Sequence, residues 1–146
     1  MPRSEPRISY LIGRLDRALR RRLDRALGPQ QLTVRQYTTL SVLRARAGLS
    51  NAQLARRSLM TPQSMNEVLA GLVERGLVRR TPARDHGRVI QTELTAAGLT
   101  VLEACDEAVD RLEAEMLAEL DPGERATFAV GLRSSARALG AGIHED

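Results

Sequence analysis

Between positions 61 and 67 the chain reads Thr61-Pro62-Gln63-Ser64-Met65-Asn66-Glu67, and further on it reads Pro82-Ala83-Arg84-Asp85-His86-Gly87-Arg88. The first stretch is rich in amides and hydroxyls, which donate and accept at once and so can read base edges in a major groove. Gln63, Ser64 and Asn66 are the candidates for that contact. Thr61 and Pro62 open the helix that carries them, and its first backbone amides suit a phosphate. Glu67 is the awkward member, because phosphate repels it unless it accepts from a cytosine amino group; its alternative is a helix-supporting role. The second stretch offers Arg84 and Arg88, whose planar forks bind two phosphate oxygens each, and His86, which adds charge when protonated or is simply an exposed loop histidine. The competing reading of both stretches is an ordinary solvated surface.

Charge distribution supports the nucleic-acid reading. All 22 basic residues of this 146-residue chain are arginine. Residues 1 to 90 hold 18 arginines against 6 acids, a surplus of 12, whereas residues 91 to 146 hold 4 against 12, a deficit of 8. A basic part joined to an acidic part points to a polyanion as partner of the first. With Tyr10, Tyr37 and Phe128 as the only aromatics, the stacking platforms of single-strand binders are excluded, so double-stranded DNA is the expected form.

Other classes fall away on composition. No apolar run approaches the ~20 residues of a bilayer crossing, and the first residues lack a signal peptide's apolar core, so no membrane and a cytoplasmic location are expected. A lone cysteine, Cys105, and two distant histidines, His86 and His144, cannot form a zinc cluster, and no metal or cofactor is expected. Nothing pairs a nucleophile with a base, which argues against an enzyme.

The positioning elements are legible from periodicity. Ile8, Ile12, Leu15, Leu19, Leu23 and Leu27 recur at helical spacing and end at Gly28-Pro29. Capping boxes at Thr33/Gln36, Ser50/Gln53 and Asp121/Glu124, together with Thr61-Pro62, mark four further helix starts, while Gly48 and Gly76 are natural terminators. Leu77–Thr81 and Val89–Leu94 read as two strands of a hairpin with a basic tip. Thr95 opens a helix bearing Leu99, Leu102, Cys105, Val109, Leu112, Met116 and Leu120, and a last helix from Pro122 to about Leu139 presents Phe128, Leu132, Ala136 and Leu139. In the helix from Pro62, the expected core stripe is Met65, Val68, Leu69, Leu72 and Val73, with Gln63, Glu67, Ala70 and Gly71 outward.

The predicted fold is therefore mainly α with a small β-hairpin wing: a winged helix-turn-helix, about 33–94, flanked by N- and C-terminal dimerisation helices at about 7–27 and 95–140, all within one domain, 1–146. A helix from Thr95 to Leu120 would be ~39 Å long against a radius of gyration of ~15 Å for a compact chain of this size. Its apolar stripe, with those of the first and last helices, needs a second chain as cover, and a two-fold homodimer is the expected solution.

The segment Leu72-Val73-Glu74-Arg75-Gly76-Leu77-Val78-Arg79-Arg80, followed by Gly87-Arg88 and Leu94-Thr95-Ala96-Ala97-Gly98, resembles the MarR family of bacterial transcription regulators over nearly the whole chain. That resemblance implies an obligate dimer bound to a pseudo-palindromic operator, usually a repressor, released from DNA by a small aromatic or anionic ligand. It makes Pro62–Arg75 the recognition helix and Thr81–Val89 the wing, with Arg88 entering the minor groove. The family usually has an aspartate two positions before that arginine; this chain has His86 there, with Asp85 beside it. The family's ligand cleft, bordered by the first, second and fifth helices, makes Tyr10, Arg14 and Tyr37 the ligand candidates, against plain core for Tyr37. Peroxide-sensing relatives carry a reactive cysteine in the first helix, which is absent here, and Cys105 in a packed stripe is expected to be inert. The alternative function is a winged-helix protein-interaction module that ignores DNA.

Overall fold

The computed structural model describes residues 5–83 and 89–141. Helix α1 spans Ile8–Leu27 and passes through a single 3-10 turn, Gly28–Gln30, into α2, Val34–Ala45. Strand β1, Leu49–Ser50, leads into α3, Asn51–Arg57, and α4, Pro62–Glu74. The hairpin strands β2, Val78–Pro82, and β3, Ile90–Leu94, precede α5, Ala96–Met116, and α6, Pro122–Ala138. The antiparallel sheet has the order β1-β3-β2, with Leu49 opposite Thr92 and Val78 opposite Leu94. This is the expected winged helix-turn-helix between flanking helices. The two-residue β1 is an addition: its partner on β3 lies some forty positions away, and so short a strand has no periodicity to read.

Local chemistry sets the helix starts. Thr33, Ser50 and Asp121 each accept from the amide three residues on, and Gln36, Gln53 and Glu124 reach back to the cap amide, so all three capping boxes are complete. Each cap contributes about 1 kcal/mol. Thr95 caps α5 by accepting from the Gly98 amide at 3.0 Å, and its hydroxyl donates to the Gly76 carbonyl at 2.7 Å. Gly76 sits at φ +70, the left-handed conformation that ends α4. Gly98 is required by proximity, since a Cβ there would lie 2.0 Å from the Leu77 carbonyl oxygen. The Thr95-to-Gly98 stretch is thus a fastener that seats α5 on the α4–β2 turn.

The core is formed by Leu27, Leu40, Leu43, Leu54, Met65, Leu69, Leu72 and Leu102, all essentially inaccessible, with Cys105 beside them. It joins the winged part to α5. The two ends of the chain are covered far less. In α1 only Leu27 is buried, and Ile8 is 76% exposed. Helix α6 buries no residue, leaving Val130, Leu132 and Leu139 exposed. These are two of the three stripes for which a second chain was expected as cover; the third, on α5, is buried within the chain itself at Leu102, Cys105, Val109 and Leu112, because α1 and α2 pack on it. No helix among the described residues is long and apolar enough to cross a membrane.

Candidate nucleic-acid interface

Helix α4 turns its apolar face inward through Met65, Leu69 and Leu72, with Val68 packed at the edge of the core. Val73, expected in that stripe, is 43% exposed, because it falls at the margin of a face centred on Met65, Leu69 and Leu72. Gly71, expected outward, is half-buried: a Cβ there would stand 3.3 Å from Gln36 Nε2 on α2. Absence of a side chain lets α4 lie close to α2.

On the outer side Gln63, Asn66, Glu67 and Ala70 are exposed. Among the described residues Gln63, Asn66 and Glu67 have no hydrogen-bond or ion-pair partner, so their polar groups remain available to an incoming molecule. Ser64 is half-buried and committed to the cap: its amide donates to Thr61 Oγ1 at 3.1 Å, and its hydroxyl accepts from Thr61 at 3.0 Å. The row of amides expected at this helix start reduces to one. Pro62 has no N–H, the Ser64 amide is bound to the cap, and the Met65 amide donates to the Thr61 carbonyl, which leaves the Gln63 amide for a phosphate.

Two further residues steady this helix, and neither was singled out from the sequence. Asn51, first in α3, donates through Nδ2 to the Pro62 carbonyl at 3.3 Å. At the other end Arg75 donates from both terminal nitrogens to the carbonyls of Gln30 and Gln31, each at 2.9 Å. Helix α4 is therefore held at its start by α3 and at its end by the turn after α1. The Arg75 tie spans 44 and 45 positions and the Asn51 tie 11, both beyond the reach of local capping patterns, and only the local resemblance around Arg75 offered a signal.

The ladder of the wing is extended by the Ala83 amide, which donates to the Val89 carbonyl at 2.7 Å. On β2, Arg79 pairs loosely with Glu93 at 3.4 Å, and Arg80 is exposed with no partner among the described residues. Arg84, His86 and Arg88 lie outside the described residues.

The ligand candidates fall in two places. Tyr10 and Arg14 share the exposed end of α1, the guanidinium 5.9 Å from the ring centre. Tyr37 is half-buried and donates to Asp106 Oδ1 of α5 at 2.6 Å. The second oxygen of Asp106 accepts from Arg44, which lies two turns beyond Tyr37 on α2. Burial, the bond to Asp106 and the charge of Asp106 push the Tyr37 phenol well above its usual range. Burial alone would raise the Asp106 carboxyl, but its bonds to Arg44 and Tyr37 outweigh that and hold it below the usual carboxylate value. Cys105, beside this cluster, is fully buried, and burial followed by the Asp106 charge pushes its thiol up, away from the reactive thiolate. On the opposite flank of α5 an open cleft of about 360 Å³ runs between α1 and α5, lined by Arg22, Arg25, Pro29, Arg111, Leu112 and Glu115.

The profile of the MarR family matches residues 30–89. Over 121 residues, 83% of this chain and 87% of the relative, the sequence is 35% identical to the HTH-type transcriptional repressor Rv2887 of Mycobacterium tuberculosis. The crystal structure of Rv2887 in complex with DNA superposes with a TM-score of 0.75 at 32% identity, covering 89% of this chain and 98% of that one. Its complex with salicylic acid gives 0.72 at 33% identity, covering 90% and 97%. A mutant of MarR from Escherichia coli complexed with operator DNA gives 0.79 at 26% identity, covering 88% and 92%. Family profile, sequence relatives and the arrangement of helices and wing agree, and the chain belongs to the MarR family of transcription regulators.

Proposed function

We propose that this chain acts as a homodimeric repressor that binds a pseudo-palindromic operator in double-stranded DNA through α4 and the wing, and is relieved by a small aromatic or anionic ligand. The observation that carries the reading is the outer face of α4. Gln63 and Asn66 stand exposed with unspent amide groups, on a helix braced at both ends and adjoining an arginine-bearing hairpin. Such a face fits a major groove, and amides bind adenine edges in pairs of hydrogen bonds.

In this reading Gln63, Asn66 and, through its remaining hydroxyl capacity, Ser64 contact bases. Thr61 and Pro62 set the helix start against the backbone, and Glu67 accepts from a cytosine amino group. Arg84, His86 and Arg88 serve the phosphates and the minor groove. The exposed apolar faces of α1 and α6 support the dimer, which places two α4 helices about one DNA turn apart. Residues of about 33–94 form the DNA-binding part and the flanking helices the dimerisation part of a single domain. The place of action is the cytoplasm, alongside the DNA. Rv2887 is named a repressor and has been crystallised with salicylic acid, which supports repression and a ligand of that class here; Tyr10 with Arg14 offers one place for it, Tyr37 a second and the arginine cleft a third.

The test is selection of bound duplexes from a random pool. Enrichment of an inverted repeat whose half-sites lie about 10 base pairs apart, or a multiple of that, is the expected result. Recovery of no sequence preference, with weak binding that vanishes in moderate salt, would replace this reading by a protein-interaction module.

A further inference from the structure

A phenol and a guanidinium at matched spacing make a receptor for a carboxylate, and this chain holds one on a single helix. Tyr37 and Arg44 are seven residues apart on α2, hence on one face two turns apart. The receptor is already filled, because both oxygens of Asp106 are engaged, one by each group. The occupant comes from a different element, α5, 69 positions along the chain from Tyr37.

The location gives this clasp leverage. Leu40 and Leu43 of α2 enter the core that α5 shares, and on the side of α2 away from Asp106 the Thr39 hydroxyl touches Met65 Sδ of α4 at 3.9 Å. Helix α2 is therefore the layer between α5 and the recognition helix. Whatever holds α2 against α5 sets the angle at which α4 leaves the long helix, and in a dimer that angle sets the separation of the two recognition helices.

We infer that Asp106 is a built-in ligand: a positioning residue whose carboxylate occupies the Tyr37–Arg44 receptor and thereby fixes α2 and α4 at the angle that operator binding requires. The inference rests on the DNA-binding reading for its consequence, but the receptor itself can be tested without DNA. Glu103, one turn earlier on α5, is the other acidic group among the described residues whose charge acts on Arg44, so the tests are made with Glu103→Gln present as well as absent.

Removing the carboxylate with Asp106→Ala leaves a receptor with a vacancy the size of a small carboxylate. The variant should melt at a lower temperature than the parent and bind the selected operator about tenfold or more weakly, as loss of charge-assisted hydrogen bonds implies. Sodium formate or acetate at about 0.1 M should restore both quantities, whereas sodium chloride at equal ionic strength, or neutral acetamide, should not. The parent should not respond, and Asp106→Ala combined with Arg44→Ala should lose the rescue. A merely structural aspartate would give the loss without the selective rescue.

Formate acting no better than chloride on melting temperature, or an Asp106→Ala variant that matches the parent in both readouts, overturns the inference. If Asp106→Ala is not folded without additive, refolding that depends on formate but not chloride supports it, and equal failure in both overturns it. If the parent binds no DNA at all, the melting rescue still decides whether the receptor exists, so failure of the DNA reading and failure of this one are separable.

Discussion

Thr95 donates its hydroxyl to the Gly76 carbonyl at 2.7 Å while accepting from the Gly98 amide at 3.0 Å, so one side chain closes the end of the recognition helix segment onto the start of the long helix. The bond spans the whole wing. Thr95→Ala removes both interactions and should cost about 1 kcal/mol, with Thr95→Ser retaining most of it. Gly98→Ala should be worse, because the added methyl meets the Leu77 carbonyl and something must shift; overpacking of this kind costs roughly 1–3 kcal/mol and occasionally more. Urea unfolding midpoints rank the three variants, and a Gly98→Ala chain as stable as the parent would contradict the close approach.

Base recognition and phosphate binding should separate on salt. Gln63→Ala is expected to weaken operator binding by ~1–3 kcal/mol, to leave random duplex nearly unaffected and to relax one base position per half-site. Arg88→Ala should weaken both duplexes and flatten the salt dependence, the slope of log affinity against log salt falling by ~0.9 for each phosphate the side chain had neutralised. Titrations on two duplexes at several salt concentrations distinguish them. Parent-like operator binding by both variants would remove α4 and the wing from the interface.

Sedimentation should give twice 16.1 kDa. Leu132→Glu, on a helix that buries nothing within its own chain, should shift the protein toward the monomer and lower operator affinity with it, since the two half-sites are bridged only by a dimer. A dimer unaffected by charges at both Ile12 and Leu132 would move the interface elsewhere.

Acid should loosen the Asp106 clasp before it unfolds the chain. The carboxyl is held below its usual 3.8, so its contribution to stability is complete above that value and is lost as the pH falls through the lower folded-state value. Tyr37 runs the other way: its raised value makes its contribution complete below 10.0 and lost as the pH climbs toward the folded-state value. The stability difference between parent and Asp106→Asn should shrink below about pH 4. Constancy of that difference down to strong acid would show that the charge on Asp106 does no stabilising.

Salicylate should weaken operator binding and raise the melting temperature of the DNA-free protein, as any ligand of the folded state does. If it uses the cleft between α1 and α5, Arg111→Ala should blunt both effects, because Arg111 has no partner among the described residues and is available to a carboxylate. Unchanged relief in that variant directs attention to Tyr10 and Arg14.

The helices were legible in the sequence wherever the determining chemistry is local. Thr33, Ser50, Thr61, Thr95 and Asp121 announce helix starts because cap and partner sit three residues apart. The end of α5 was less so: apolar spacing carries the helix to Leu120, yet it stops at Met116 and turns through Leu117–Leu120, with neither glycine nor proline to mark the place. The outer face of α4 was legible except at its edges, where Val73 and Gly71 depend on what α2 covers. The Tyr37–Asp106–Arg44 cluster could not be read, since periodicity places each residue on a helix face but says nothing about which faces meet across more than sixty residues.

The tie between Arg75 and the carbonyls of Gln30 and Gln31 has an unequal tolerance of mutation on its two sides. Its acceptors are backbone oxygens, present whatever residues occupy positions 30 and 31, so most substitutions there leave the recognition helix anchored. The exception is conformational: Gln31 sits at φ 55, where glycine or asparagine would be at ease and a β-branched residue would not. The donor side has no such latitude. Lysine keeps the charge but cannot span two carbonyls with a planar fork, which concentrates the vulnerability of this anchor in one codon while spreading its robustness over the turn it grips.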